Sequence, residues 1–288
     1  MIAGAPLKWW ICFHLAVLAL IVADALLPHS RKDQAQPRLA WLWSLFMAVV
    51  AGGFAFWLNF EQGRQAALEF VSGYTIETSL SIDNLFVFLV LFRGFGISHR
   101  QQHRALLWGV FGAIVLRAIC IALGVSLLAR FSWISYLFGA ILLYAAWRLV
   151  KGSSAAEAMP GWITSMQKGA KTLLPVILAV EATDLLFAVD SIPAVLAVSR
   201  DPFVVYTSNI AAILGLRSLY FALSSLLDRF HYLHYGLGAL LAFVGAKMML
   251  AHWIEIPTVW SLGIMAAILG ICALISILLA PKHPKNAS

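Results

Sequence analysis

The run FVSGYTIETSLSIDNLFVF, residues 70–88, sets Glu77 and Asp83 inside a stretch otherwise apolar enough to be buried in hydrocarbon. A second run, VEATDLLFAVDSIPAVLAV at 180–198, does the same with Glu181, Asp184 and Asp190. The apolar character continues outward in both directions. Of 288 residues, 62% are hydrophobic and 11% charged, with a mean hydropathy of +0.88. An ordinary soluble domain is roughly 45–50% apolar and 25% charged. Such a chain lacks the polar residues needed to cover a water-soluble core, which excludes soluble enzymes and nucleic-acid-binding proteins. The formal charge of +7 comes from 20 basic residues scattered between apolar blocks, so it reads as a topology signal rather than a nucleic-acid footprint.

Reading the apolar blocks against their polar breaks predicts an all-α polytopic membrane bundle of nine transmembrane helices. The predicted spans are 7–27, 39–59, 68–92, 105–128, 133–150, 172–199, 203–227, 232–251 and 257–280, each close to the length a bilayer requires. Residues 7–27 read as a helix rather than a cleaved signal peptide, since they are long enough to span and no Ala-x-Ala site follows. Lys and Arg gather in the loops after spans 1, 3, 5 and 7 and in the C-terminal tail. The positive-inside rule then places the N-terminus outside and the C-terminus in the cytoplasm, with 151–171 as a cytoplasmic loop. Cys12, Cys120 and Cys272 each stand alone in an apolar run, which suggests neither a disulfide framework nor a thiolate metal site.

Three pieces of the chain recur in order. Glu77-Thr-Ser-Leu-Ser-Ile-Asp83-Asn84 resembles Asp184-Leu-Leu-Phe-Ala-Val-Asp190-Ser191, GAIVLRA around Arg117 resembles AILGLRS around Arg217, and YLFGAILLYAAWR (136–148) resembles YGLGALLAFVGAK (235–247). Each unit holds three spans, 68–150 in the first and 172–251 in the second, so the second copy enters the membrane from the opposite side. A 3+3 inverted repeat of this kind, inside one integral membrane domain covering 1–288, is the plan of transporters whose substrate site lies at the midplane between the copies.

Asp24, Glu77, Asp83, Glu181, Asp184 and Asp190 all fall in or at the ends of spans, where an ionised group costs about 2.5–3.5 kcal/mol on insertion scales. Arg117, Arg217 and Lys247 are the bases within spans, and they can pair with some of these acids as structural glue. Six acids against three bases still leave an excess of carboxylate, which protons or a cation can balance. The donors on offer are carboxylates, the Asn84 amide, and the Ser81 and Ser191 hydroxyls. These hard oxygens suit Mn²⁺, Ca²⁺ or Mg²⁺ rather than Cu⁺ or Zn²⁺. On an ideal helix, residues six apart differ by about 240°, so Glu77 and Asp83, like Asp184 and Asp190, share one face only if the helix is interrupted. A break or kink is therefore expected in spans 3 and 6, supported in the latter by Pro193.

The segments at 70–88 and 180–198, together with YTSNIAAILGLRSLYFAL (206–223), resemble the signature segments of the TerC family of integral membrane proteins, which includes alkali-induced Alx-type members. The resemblance runs from about Asp24 to the last span. It implies a metal-ion transporter, with manganese export as the best supported activity, in a family named for tellurium resistance. The family's acidic motifs match Glu77, Asp83 and Asn84 in the first copy, Glu181, Asp184, Asp190 and Ser191 in the second, and Asp24 in the first span.

The resulting expectation is a transporter of the bacterial inner membrane that exports Mn²⁺ in exchange for protons and carries no permanent cofactor. Asp83 and Asp190 are the expected direct ligands, followed by Glu77, Asp184 and Asn84. Glu181 ligates or carries the proton, and Arg117 and Arg217 balance charge when the ion is absent. An alternative of another class is a membrane assembly or metalation factor that partners the translocation machinery or exported metalloproteins and hands over metal. An aspartate-dyad hydrolase fits less well, because it gives no reason for Asn84 and Ser191 or for the repeat, and no enzymatic activity is expected.

Overall fold

The computed structural model describes residues 5–26, 37–123, 133–151, 173–227, 233–250, 253 and 257–279. Among them nine helices form: α1 (Leu7–Leu26), α2 (Pro37–Glu61), α3 (Arg64–Phe95), α4 (His99–Leu123), α5 (Trp133–Val150), α6 (Leu174–Val198), α7 (Pro202–Leu227), α8 (Leu233–Leu250) and α9 (Thr258–Leu279). They fall on the nine stretches read from hydropathy. Five segments are long and apolar enough to cross a membrane by themselves: Leu7–Leu26, Arg38–Glu61, Arg64–Phe95, His99–Ala122 and Pro202–Ser225. α6 has the length but carries three acids. Parts of α5, α8 and α9 are shorter apolar helices, Gly139–Val150, Tyr235–Leu250 and Gly263–Ser276. Most of the loop at 151–171 and the tail after 279, which carry much of the basic charge used for orientation, lie outside the described residues.

The helix ends follow local chemistry. α3 stops at Gly96, whose φ of 60° lies in the left-handed region that glycine enters without a Cβ clash. Its N–H donates to Arg93 O and that of Ile97 to Phe92 O, closing the last turn as a Schellman motif. α7 opens on Asp201, whose carboxylate accepts from the Phe203 N–H at 2.8 Å, with Pro202 in the first turn where no amide is needed.

One apolar core draws buried side chains from all nine helices, among them Phe13, Met47, Phe92, Ala113, Leu142, Val180, Ile213, Leu241 and Met265. The C-terminal half of α3 is buried on every side from Asp83 to Phe92, which makes it the central rod. The outward faces of α1, α2 and α9 remain apolar: Leu15 is 60% exposed, Leu42 64% and Leu278 78%. Apolar surface on that scale belongs against lipid.

α3 packs on α6 and α7, α4 on α6 and α7, and α5 most extensively on α8. The pairs α3–α6, α4–α7 and α5–α8 all run antiparallel. Gly73 of α3 meets Val195 of α6, while Phe88 and Val180 line one cavity at the other end of the same pair. Tyr220 OH of α7 donates to Gln102 Oε1 of α4 at 3.1 Å, and Arg117 further along α4 reaches back to Asn209. Between α5 and α8 the backbones come so close that a Cβ on Gly139 would lie 2.9 Å from the Gly245 carbonyl oxygen, and one on Gly238 would lie 3.4 Å from that of Ala146.

The expected breaks are absent. α3 is helical through all 32 residues and α6 through all 25, Pro193 included. Proline removes one backbone bond, and the helix continues through it with α3 and α4 packed against it.

Candidate functional site: a charge cluster between α3, α4, α6 and α8

An unbroken α3 fixes where its polar groups point. Ser81 and Asn84 lie four and seven residues after Glu77 and share its stripe, so the Ser81 hydroxyl donates to Glu77 Oε1 at 3.3 Å. Asp83 lies on a different face. The two acids therefore meet different bases, Glu77 the arginine of α4 and Asp83 the lysine of α8.

Arg117 is the centre of the cluster and is wholly buried. Its Nη1 donates to Glu77 Oε1 at 2.5 Å and to Asn209 Oδ1 at 2.7 Å, with Ser191 Oγ at the limit of 3.5 Å, and its Nη2 donates to Asp184 Oδ1 at 3.3 Å. The guanidinium thus joins α3, α6 and α7 through α4. A buried charge held this way is costly to unpair, about 3–5 kcal/mol when one partner is removed. Asn209 is itself oriented by its Nδ2 donating to Val205 O at 2.9 Å. Sequence reasoning placed Asn209 in a matched segment without giving it a role.

Beside this cluster lies a cavity of about 70 Å³ lined by Glu77, Leu80, Asp83, Asn84, Phe187, Ser191, Val244, Lys247 and Met248. It exceeds the roughly 10–15 Å³ that one water requires. Two acceptors at this site have no hydrogen-bond partner among the described residues, Glu77 Oε2 and Asn84 Oδ1, although Glu77 is 0% and Asn84 2% exposed. Buried acceptors left open cost about 1–3 kcal/mol each, and either oxygen can take a hydrogen-bond donor or a cation. Lys247 closes one side, its Nζ 2.7 Å from Asp83 Oδ2. A smaller cavity of about 30 Å³ lies toward α7 and is lined by Asp184 and Arg217 among apolar residues. Arg117 is bonded to a carboxylate of each cavity.

The expected ligands are thus only partly gathered. Glu77, Asp83, Asn84 and Ser191 line the larger cavity and Asp184 the smaller. Glu181, on the outer part of α6, is half-buried with its carboxylate against Gly112 of α4. Asp24 stands apart: its Oδ2 is 2.7 Å from Arg217 Nη2, which also reaches Asp24 O at 3.2 Å and His103 Nε2 at 2.9 Å. Arg217 therefore pairs with Asp24, while it also borders the smaller cavity that Asp184 lines. The side chain of Asp190 lies outside the described residues. No three His, Cys, Asp or Glu side chains converge as a preformed metal-holding group among the described residues, since Glu77, Asp83 and Asp184 each face a base.

The model of the integral membrane protein TerC family matches residues 62–284, a span that holds both acidic segments, Arg117 and Lys247. The chain belongs to the TerC family. Its relatives include Alx of Escherichia coli K12, which bears the name of a membrane-bound redox modulator and is 38% identical over 98% of each chain. The membrane protein STKORF319 of Myxococcus xanthus is 38% identical over 97% of this chain and 94% of its own. A membrane protein of Rickettsia bellii is 33% identical over 90% and 94%. No solved structure matches this TerC-family chain.

Proposed function

We propose that this TerC-family protein exports a hard divalent cation, Mn²⁺ foremost with Ca²⁺ as the nearest alternative, across the bacterial inner membrane in exchange for protons. The observation that carries the reading is the cavity between α3, α6 and α8, where Glu77 Oε2 and Asn84 Oδ1 are buried without a partner among the described residues, beside Asp83 and Ser191. Two carboxylates, an amide oxygen and a hydroxyl make an all-oxygen donor set of the kind Mn²⁺, Ca²⁺ and Mg²⁺ prefer. Asp190 is assigned as a further ligand by its place in the repeat, and Glu181, at the open side of α6, as the carrier of the exchanged proton. No chemical step on a substrate is part of this function.

The mode of transport rests on a nine-span bundle with two inverted halves, α3–α5 and α6–α8. Antiparallel packing of each corresponding pair supports it. Further support comes from the α5–α8 contacts, in which Gly139 against Gly245 is matched by Gly238 against Ala146, residues that exchange places when YLFGAILLYAAWR is laid on YGLGALLAFVGAK. Movement of one half against the other then exposes the cavity alternately to each side. The redox wording in the Alx name finds no disulfide here: Cys12, Cys120 and Cys272 lie on different helices and none is cross-linked. In this reading any redox effect follows from the exported metal.

The test is Mn²⁺ flux in proteoliposomes under an imposed pH gradient, comparing wild type with Glu77→Gln, Asp83→Asn and Asp190→Asn. Flux that follows the gradient and is lost in the variants is expected. Equal flux with and without the gradient rejects proton exchange, and its absence from folded wild type rejects transport in favour of a metal hand-over role.

A further inference from the structure

The two bases of the cluster are held in very different ways. Arg117 is 0% exposed and shared among Glu77, Asp184 and Asn209, with five donors in a rigid fork, so its removal from the site would strand several groups at once. Lys247 sits on a flexible four-carbon stem near the C-terminal end of α8, its side chain 20% exposed, with a single described partner, Asp83 Oδ2 at 2.7 Å. It lines the same cavity as the two orphaned acceptors. The charges add a further constraint. Glu77, Asp83 and Asp184 against Arg117 and Lys247 leave the described cluster one positive charge short of neutrality when all are ionised. With Lys247 withdrawn the deficit is two, the charge of one divalent cation.

We infer that Lys247 is a tethered counter-cation that occupies Asp83 when the cavity is empty and must leave it for a divalent ion to bind, while Arg117 stays in place as the permanent counter-charge. This rests on the cation-site reading above and adds how that site is emptied and filled. Lysine suits the exchange because its ammonium is a compact point charge held at one oxygen, whereas a bidentate arginine would compete too well. Binding and release become a swap of cations on one carboxylate, so Asp83 is never left unpaired in the membrane, where an isolated charge is expensive.

The test is equilibrium Mn²⁺ binding to the purified full-length protein in detergent, followed by electron paramagnetic resonance of free Mn²⁺, for wild type, Lys247→Gln and Lys247→Arg, with folding checked by gel filtration and thermal unfolding. Removing a competing unit charge a few ångströms from the ion is expected to tighten binding about tenfold or more in Lys247→Gln. Lys247→Arg, which keeps the charge and can grip Asp83 with two donors, is expected to bind several-fold more weakly than wild type. It also decides the matter should Lys247→Gln not fold. Unchanged or weaker binding in folded Lys247→Gln, or unchanged or tighter binding in Lys247→Arg, overturns the inference while leaving the cation site standing. No binding by folded wild type and folded Lys247→Gln alike overturns the site, and the inference with it.

Discussion

Replacing Arg117 by methionine strands two carboxylates that the protein buries together. Methionine fills much of the volume, so the loss is chiefly electrostatic: Glu77 and Asp184, 0% and 5% exposed, would face one another without the guanidinium that bonds both. Removing one member of a buried charge group costs about 3–5 kcal/mol. At roughly 2–4 °C per kcal/mol for a chain of about this size, the midpoint of thermal unfolding in detergent should fall on the order of 10 °C. Two controls separate this from simple misfit. Arg117→Met combined with Glu77→Gln and Asp184→Asn removes the charges together and should recover most of the loss, since neutral replacement of a whole buried group is often tolerated. Mn²⁺ at about a hundred times its dissociation constant adds roughly 2.7 kcal/mol to any protein that binds it only when folded, so it should raise the midpoint of the single variant, whose carboxylates are freed. An Arg117→Met midpoint equal to wild type would refute the claim that this arginine holds the centre of the bundle, and no gain in the triple variant would refute the electrostatic cause.

Asn84→Leu removes a buried acceptor that has no partner among the described residues, so stability should change by less than about 1 kcal/mol while Mn²⁺ flux falls at least tenfold; a flux like wild type would remove Asn84 from the cation site. Gly112→Val drives a side chain into the Glu181 carboxylate and should separate α4 from α6, destabilising by about 1–3 kcal/mol in thermal unfolding, whereas an unchanged midpoint would mean the two helices do not pack as described. Asp201→Ala deletes the cap of α7 and should cost about 1 kcal/mol without altering Mn²⁺ binding. If the halves are inverted, a cysteine at exposed Ser98 and one at exposed Arg200, in a background without the three native thiols, should react with an impermeant reagent from opposite sides of the membrane; labelling from the same side would contradict the inversion.

Much of the architecture was legible because hydrocarbon thickness and helix rise leave few choices: runs of about twenty apolar residues between polar breaks can only be helices. The acids stood out for the same reason, and spacing on an ideal helix correctly separates the face of Glu77 from that of Asp83. An interruption of α3 is not needed to bring both acids to the site. The cavity is instead lined by three helices, and its walls reach Glu77 and Asp83 without bending α3. Partner choice was the part the sequence could not show. Arg117 and Arg217 sit at matching places in the repeat, yet one is surrounded by Glu77, Asp184 and Asn209 and the other by Asp24 and His103. Lys247 ends the third matching segment in register with Arg148, so each copy closes on a base, but that register does not say which acid it meets.

The most direct test of the account is Mn²⁺ transport by Asp83→Asn beside wild type in sealed proteoliposomes with an imposed pH gradient. Asp83 is where cavity, lysine and repeat meet. Wild-type flux that follows the gradient, with none above protein-free vesicles in folded Asp83→Asn, is the result predicted. Equal flux in the two proteins would contradict a pathway through this carboxylate.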